Sequence, residues 1–187
     1  MKLEDDNIIL REWEETDVER LAEIANNKKI YDNLRDAFPH PYSIDDARQY
    51  ITLQLNGDNK LSKVFAILVD GKVAGSIGAF LKEDVYRKNA EIGYYLAEEY
   101  WGIGIMTKAI KILIEYVFET FDITRIYAEP FARNVASRRS LEKVGFRLEA
   151  ELKCNAVKNG IIEDSCIYAI LKCEFIKCGS IMNEKKG

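Results

Sequence analysis

Two glycines, Gly102 and Gly104, stand directly before a predicted helix in the stretch YWGIGIMTKAI, residues 100–110. Glycine loses more conformational entropy on folding than any other residue, so the pair indicates a backbone that needs its freedom. The first N–H groups of a helix lack internal partners and lie at the positive end of the helix dipole, where anions bind. The spacing predicts a nest of backbone N–H groups for an anion; a tight strand-to-helix connection without a ligand is the alternative.

The phosphate loops of nucleotide-binding proteins do not match this stretch. A P-loop needs G-x-x-x-x-G-K-[ST], which the sequence lacks. The dinucleotide fingerprint needs a third glycine where Thr107 stands. Glu129 could supply its acidic residue, but the chain then continues into an antiparallel hairpin rather than further parallel units. The sequence also lacks G-x-S-x-G, which disfavours a serine hydrolase.

Glu91 is the candidate general base. It lies in an otherwise apolar predicted strand, Ala90–Leu96, and shares a face with Gly93 and Tyr95. Burial would raise the pKa of Glu91 towards the range in which a carboxylate can accept a proton from a substrate. The alternative is that Glu91 has no catalytic role and lies at an edge, in water or in a salt bridge. His40, the single histidine, lies between two prolines. We expect it to pack in a loop near the substrate entrance rather than to act as a base.

Composition limits the classes of partner. The 187-residue chain has 27 basic and 31 acidic residues, and its net charge of −4 gives no field that attracts nucleic acid or an anionic membrane. No apolar run approaches the roughly 20 residues of a membrane helix, and the acidic Met1–Asn7 does not resemble a signal peptide. We expect a single domain over residues 1–176 with a flexible tail, 177–187, located in the cytoplasm.

The cysteines do not predict a metal site or a disulfide. None of the four cysteines is in C-x-x-C spacing, and the chain has only one histidine as a further zinc ligand. We therefore expect no metal site. A type I′ turn at Asn159–Gly160 would place Cys154 opposite Ser165 and Cys166 opposite Lys153, on opposite faces of the sheet. Free, mostly buried thiols are therefore expected. The four are Cys154, Cys166, Cys173 and Cys178.

Strands and helices alternate along the chain, which predicts one mixed sheet with helices on both faces, an α/β (mixed α+β) fold. The predicted strands are Ile8–Trp13, Val64–Val69, Val73–Leu81, Ala90–Leu96, Arg125–Glu129, Phe146–Ala156 and Ile161–Phe175. The predicted helices are one opened by a capping box at Thr16–Glu19, Ile44–Leu55 after Ser43, Ile105–Phe118, and one from the cap Asn134 to Val144.

Two segments around the glycines carry a family resemblance. They are AEIGYYLAEEYWG, residues 90–102, and RIYAEPFARNVASRRSLEKVGF, residues 125–146. With the FPHPY loop and the final hairpin, including Asp164 and Tyr168, they resemble the GNAT superfamily of acetyl-coenzyme-A-dependent N-acetyltransferases. The most similar branch is RimJ/RimL-like, which includes ribosomal-protein N-terminal acetyltransferases. The resemblance spans residues 7–175.

The resemblance implies a seven-stranded, largely antiparallel sheet that is splayed at the cofactor site. The backbone of Trp101–Thr107 would hold the pyrophosphate, and Tyr95 and Leu96 would pair with the pantetheine arm and polarise the thioester carbonyl. Gly93 would allow a bulge that lets the strands separate. The implied cofactor-binding residues are Tyr95, Leu96, Trp101, Gly102, Ile103, Gly104, Ile105, Met106, Thr107, Asn134 and Ser137.

Glu91 and Ser137 are the implied catalytic residues. Ser137 occupies the family position near the sulfur, and a helix-start serine bonded to the backbone is the alternative. Leu141 stands where many relatives have a tyrosine that donates a proton to the leaving thiolate. Ser137 or water would replace that tyrosine, and a thiol with a pKa of about 8.5 needs little assistance.

The resemblance also bears on charged residues near the cofactor. Glu99 stands three residues before Gly102, where the family usually has Gln or Arg, and it should face solvent. Arg138 and Arg139 would meet a ribose phosphate or form a solvated face.

The implied function is transfer of acetyl from acetyl-CoA to a primary amine by direct attack. The amine would be a protein N-terminus, such as that of a ribosomal protein, or a small amine such as a polyamine, amino sugar or amino acid. Its pocket would be built from Ala37–Ser43, the first two helices and the last hairpin. The resemblance implies no nucleic-acid or membrane partner and is compatible with a homodimer. A non-catalytic acyl-CoA sensor and a ligand-free scaffold are the alternatives.

Overall fold

One eight-stranded sheet forms the centre of the protein. The computed structural model describes residues 2–5, 7–57 and 60–175. The strands are β1 (Lys2–Asp5), β2 (Ile8–Arg11), β3 (Ser62–Val69), β4 (Lys72–Leu81), β5 (Asn89–Leu96), β6 (Arg125–Ala128), β7 (Arg147–Lys158) and β8 (Ile161–Leu171). Their order is β1-β2-β3-β4-β5-β6-β8-β7, and only β5 and β6 pair in parallel. The mixed, largely antiparallel sheet is confirmed.

Helices cover both faces of this sheet, as predicted. They are α1 (Val18–Ala25), α2 (Lys28–Tyr31), α3 (Ile44–Asn56), α4 (Ile105–Thr120) and α5 (Val135–Val144). Helices α4 and α5 belong to one apolar cluster, which includes Leu113 and Leu141. Helices α1 and α3 belong to the other cluster, through Leu21 and Ile51. Two buried layers thus hold the sheet between them, and residues that alternate along β5 reach different layers.

Local turn and cap signals place most elements correctly. Asp70 and Gly71 have positive φ and join β3 to β4, with Val69 opposite Lys72. The Ser43 hydroxyl accepts from the Asp46 N–H at 3.1 Å and starts α3. These motifs satisfy backbone groups within a few residues, which is why they are readable from sequence.

The N-terminal region differs from the prediction in three respects. Strand β1 adds an eighth strand, because a short charged segment can pair at a sheet edge without an apolar face. Helix α2, only four residues long, shows no periodicity to detect and starts at the cap Asn27. The predicted capping box at Thr16 is wrong: the Asp17 carboxylate accepts from the Glu14 N–H, and residues 15–17 form a 3₁₀ turn before α1.

The last hairpin contains a bulge that overturns the predicted cysteine register. Lys158 does lie opposite Ile161, but the pairing shifts between Leu152 and Ala156, so that Glu151 lies opposite Cys166. Cys154 sits in the bulge with positive φ, and its N–H donates to Asp164 at 2.8 Å. The described cysteines are free, as expected, but Cys154 and Cys173 are exposed rather than buried.

The C-terminal end of the last strand also differs from the prediction. Strand β8 ends at Leu171, and residues 172–175 are helical, so the predicted strand to Phe175 is too long. Cys178, the predicted domain end at residue 176 and the predicted tail, 177–187, lie outside the described residues. No helix among the described residues is long and apolar enough to cross a membrane.

Candidate active site

Strands β5 and β6 separate at the centre of the sheet. They pair only from Asn89 opposite Arg125 to Glu91 opposite Tyr127. Beyond that point Ile92–Leu96 keeps its partner β4 but has no strand partner on its other side within the described residues. We call this gap between Ile92–Leu96 and the end of β6 the wedge. The splay implied by the resemblance is thus present.

The predicted bulge at Gly93 is wrong. Gly93 pairs in register with Gly78, and the β4–β5 ladder runs without a shift from Leu81 to Gly75. The irregularity lies instead between β3 and β4, where Ala74 is the extra residue between Gly75 and Val73. The wedge opens because β6 is short and turns away, so no distortion of β5 is required.

The alternation of a strand decides which backbone groups of β5 point into the wedge. The Ala97 N–H donates to the Ala74 carbonyl on the β4 side at 2.7 Å. Neighbouring N–H groups point to opposite edges, so the N–H of Leu96, rather than that of Tyr95, faces the wedge. The Leu96 carbonyl is already used, because the Trp101 indole N–H donates to it at 2.7 Å.

The glycine turn presents a run of backbone donors. Gly102 and Gly104 have φ of 78° and 88°, a left-handed backbone that other residues rarely adopt. The first helical bond is from the Lys108 N–H to the Gly104 carbonyl. Among the described residues, no N–H from Gly102 to Thr107 donates to a protein acceptor. The Trp101 N–H does not belong to this set, since it donates to the Glu98 carbonyl.

The two glutamates before the turn point away from it. Glu99 forms an ion pair with Arg20, and Glu98 forms one with Lys29. Arg20 also donates to the Val73 carbonyl at 3.1 Å, which fixes it to the sheet. Helices α1 and α2 thus hold both carboxylates by ion pairs, and Glu99 is exposed to solvent, as predicted.

Glu91 is held by cations, contrary to its predicted role. Its carboxylate accepts from Lys82 at 2.8 Å, from the Tyr127 hydroxyl at 3.3 Å, and from Arg35. Burial acts to raise the Glu91 pKa, but the bonds to Lys82 and Arg35 outweigh it and hold the pKa below its ordinary value. The salt-bridge alternative therefore applies, and Glu91 is a poor proton acceptor.

Ser137 meets a tyrosine that the sequence did not single out. The Asn134 side chain caps α5 by accepting from the Ser137 N–H at 3.2 Å, and the Ser137 hydroxyl lies 2.8 Å from the Tyr94 hydroxyl. Burial raises the pKa of Tyr94, and the bond to Ser137 opposes that rise. The pair spans from β5 to α5 on the α4 side of the sheet. Strand alternation was the available signal, since Tyr94 faces opposite to Glu91.

Neighbouring residues of α5 have structural roles. Leu141, at the position of the tyrosine acid in many relatives, is fully buried in the core. Arg138 donates to the Tyr168 hydroxyl at 3.1 Å and to the Ala132 carbonyl at 2.8 Å. It is therefore bound to the protein rather than part of a solvated face, whereas Arg139 is exposed.

A cleft lies between the segment after α2 and the last hairpin. Its lining overlaps the predicted acceptor pocket in the hairpin but uses residues 33–36 rather than Ala37–Ser43. His40 is exposed and stacks on Tyr31 with ring centroids 5.1 Å apart, in keeping with loop packing. The cleft is lined by Asn33, Leu34, Arg35, Asp36, Glu129, Phe131, Ala156, Val157, Lys158 and Ser165.

Comparison with known proteins agrees with this arrangement. The family model described as an acetyltransferase (GNAT) domain matches residues 7–147. The Bacillus subtilis protein named "Putative ribosomal N-acetyltransferase YdaF" is 34% identical over 179 residues, 91% of this chain and 94% of that protein.

Two solved structures share the fold. The ribosomal L7/L12 alpha-N-protein acetyltransferase RimL, in complex with coenzyme A, has a TM-score of 0.81 at 25% identity and covers 91% of this chain and 98% of its own. The microcin C7 self-immunity acetyltransferase MccE, in complex with acetyl-CoA and AMP, has a TM-score of 0.77 at 27% identity, with 89% and 93% coverage. The chain thus belongs to the GNAT acetyltransferase family, in its RimJ/RimL-like branch, and is an N-acetyltransferase.

Proposed function

We propose that this protein transfers the acetyl group of acetyl-CoA to a primary amine by direct attack of the amine on the thioester. The observation that carries the proposal is the pairing of two features. The N–H groups of Gly102–Thr107 have no protein acceptor among the described residues, and the wedge beside them leaves one edge of β5 unpaired. A ligand with a diphosphate and an extended amide-bearing arm fits both features.

The diphosphate would bind at the glycine turn. Six consecutive N–H groups, from Gly102 to Thr107, can converge on its oxygens, and the dipole of the 16-residue helix α4 adds to their attraction. The two positive-φ glycines shape a concave nest of such donors. Ile103, Ile105 and Met106 contribute their backbone here, so their side chains need not be polar.

The pantetheine arm would lie along β5 in the wedge. The unpaired edge of Tyr94–Leu96 offers backbone groups to the arm's amides, and the Leu96 N–H is placed to stabilise the oxyanion that forms as the amine attacks. Tyr95 supports this edge from the other face, where it packs against Phe38. Asn134 holds the start of α5 beside the arm.

The thiolate would leave on the side of Ser137. The C–S bond breaks as the tetrahedral intermediate collapses, and the Ser137 hydroxyl, bonded to Tyr94, can donate a proton to the sulfur. A thiol whose pKa is about 8.5 needs little assistance, so the loss of the tyrosine at Leu141 is tolerable. No group of residues suited to a metal is found among the described residues.

The acceptor amine would enter through the cleft on the opposite face. The relatives named as ribosomal acetyltransferases favour a protein N-terminus, and a small amine such as a polyamine is the second possibility. Because these relatives are named for ribosomal substrates, we also propose a cytoplasmic location. That two copies of this protein form a homodimer stays a prediction.

The test is thiol release from acetyl-CoA with a panel of amines: peptides that begin with serine or alanine, spermidine, an amino sugar and free amino acids. We expect turnover with at least one amine and a rise in melting temperature on addition of CoA. Stabilisation by CoA without turnover on any amine would favour the acyl-CoA sensor. Failure of CoA to change the melting temperature would favour the ligand-free scaffold and reject the proposal.

A further inference from the structure

Glu129 lies at the point where the cleft meets the wedge. It directly follows the last residue of β6, Ala128. Tyr127 lies opposite Glu91, and Glu129, two residues later, faces the same side of the sheet. This is the acceptor side, opposite to the side of Tyr94 and Ser137. Glu129 also lines the cleft together with Ser165 and Ala156.

The Glu129 carboxylate is fixed by two neutral donors. The Ser165 hydroxyl and the Asn155 amide each donate to Oε1 at 2.9 Å. Asn155 also donates to the Ser165 hydroxyl at 2.7 Å, so the three side chains form one network. Ser165 is only 2% exposed, which makes the network rigid. Among the described residues, Oε2 accepts no hydrogen bond, and the residue lines the cleft.

In the part of the chain that the structure describes, the other charged side chains that line the cleft form ion pairs, whereas Glu129 does not. Arg35 is paired with Glu91, and the Lys158 ammonium is 2.7 Å from Asp36. Within residues 2–5, 7–57 and 60–175, Glu129 has no cation within ion-pair distance. The cleft therefore presents one carboxylate whose charge is not compensated, a feature that attracts a cationic ligand such as an ammonium group.

We propose that Glu129 binds the ammonium form of the acceptor and takes its proton during acetyl transfer. The inference rests on the proposed function and names the proton acceptor of that reaction. Oε2 of Glu129 first takes one proton from the ammonium and passes it to water, which frees the nitrogen lone pair to form the N–C bond to the thioester carbonyl. The nitrogen of the resulting tetrahedral intermediate then gives a second proton to Oε2. The C–S bond then breaks, and the electron pair leaves with sulfur, which is protonated by Ser137 or water.

This assignment accounts for the environment of both carboxylates on the acceptor side. Glu91 is enclosed by Lys82 and Arg35, so an incoming ammonium would be repelled there. Neutral donors fix Glu129 without neutralising it, and its second oxygen remains available for a proton. A general base must reach the reacting nitrogen, and the place of Glu129 directly after the strand that borders the wedge favours such reach.

The decisive experiment compares Glu129→Gln with the wild type on the amine that the wild type acetylates fastest. Glutamine keeps an oxygen that accepts from Ser165 and Asn155, so the fold is preserved while the charge is removed. We expect kcat/KM to fall by about 100-fold or more at pH 7, in the range typical of a lost general base. The deficit should shrink as the pH rises towards the amine pKa, because more substrate then arrives deprotonated.

Two controls separate the possible outcomes. Glu83→Gln removes an exposed carboxylate outside the cleft and should leave kcat/KM unchanged. The CoA-induced rise in melting temperature should be equal in the wild type and in Glu129→Gln, and Glu129→Asp should recover part of the activity.

Three results would overturn the inference. A Glu129→Gln enzyme within threefold of the wild type would reject it and leave the proposed function intact. A loss that is equal at every pH and accompanied by weaker CoA stabilisation would indicate a structural role. Absence of turnover in the wild type itself would reject the proposed function and the inference together.

Discussion

Two carboxylates on the same side of the sheet, Glu91 and Glu129, have different neighbours. Lys82 and Arg35 hold Glu91 as an anion, whereas the neutral donors Ser165 and Asn155 orient Glu129. The sequence identified Glu91 because it interrupts an apolar strand. It could not show the cations, since Lys82 and Arg35 reach Glu91 only through the folded chain.

Glu91→Gln tests the structural role of this carboxylate. We expect the free energy of unfolding at pH 7 to fall by about 2 kcal/mol, since charged hydrogen bonds to Lys82 and Arg35 are lost. The folded-state pKa of Glu91 lies below its ordinary value, so its contribution is full above that value and is lost as the pH falls through the folded-state pKa. Denaturant unfolding of both proteins at several pH values should therefore show the difference disappear in acid.

A difference between the two proteins that persists at low pH would contradict this account. Arg48→Gln, which removes a charge from an exposed i,i+3 pair on α3, is the control and should change stability by less than about 1 kcal/mol.

Tyr94→Phe tests the pair formed with Ser137. Removing the Tyr94 hydroxyl leaves the Ser137 hydroxyl without the group that orients it, so we expect kcat to fall by about tenfold while the KM for acetyl-CoA stays the same. Steady-state kinetics with a thiol-detecting reagent measures both. Tyr116→Phe, on α4, is the matched control. An unchanged kcat in Tyr94→Phe would show that the Tyr94 hydroxyl does not contribute to the reaction.

At the scale of elements, the site depends on the joint between β5 and α4. Short-range signals predict this joint well, because the glycines, the helix start and the cap at Asn134 each act within a few residues. The bulge at Cys154 and the shortness of β6 were not predictable, because both result from pairing with distant strands. The glycine turn and the helices that follow it could therefore be predicted from sequence more fully than the last hairpin and the cleft beside it.

Gly104→Ala tests the turn, and Gly71→Ala provides a matched control. Both glycines have strongly positive φ, and a Cβ added at either position would meet no atom within 4 Å. Each substitution should therefore lower the free energy of unfolding by about 1 kcal/mol through backbone strain alone. Only Gly104→Ala should reduce the melting-temperature rise caused by CoA, since Gly71 lies in the β3–β4 turn. Equal CoA effects in the two variants would contradict the role of the glycine turn.

At the scale of the whole molecule, the last hairpin closes over the segment that follows α2. The Lys158 side chain at its tip is only 2% exposed and bonds to Asp36, and its ammonium lies 3.5 Å from the centre of the Tyr31 ring. Arg133, from the loop before α5, donates to Asn33 at 2.8 Å. Contacts from distant parts of the chain thus hold one wall of the cleft.

Lys158→Met tests this closure. Methionine fills similar space but cannot bond to Asp36, so we expect faster amide hydrogen exchange over residues 31–36 and a several-fold higher KM for the acceptor amine. Stability should change by less than about 1 kcal/mol, because Asp36 is exposed and is not left as a buried charge. Stabilisation by CoA should not change. Unaltered exchange over residues 31–36 would show that the hairpin does not hold this wall.

The parting of β5 and β6 has a consequence for kinetic order. If the protein acts as proposed, the two reactants approach from opposite sides of the sheet, so neither has to depart before the other arrives. Initial velocities measured at several fixed levels of one reactant should then give intersecting, not parallel, double-reciprocal lines. A single molecule that joins the amine to the sulfur of coenzyme A should occupy both half-sites at once and compete with each reactant.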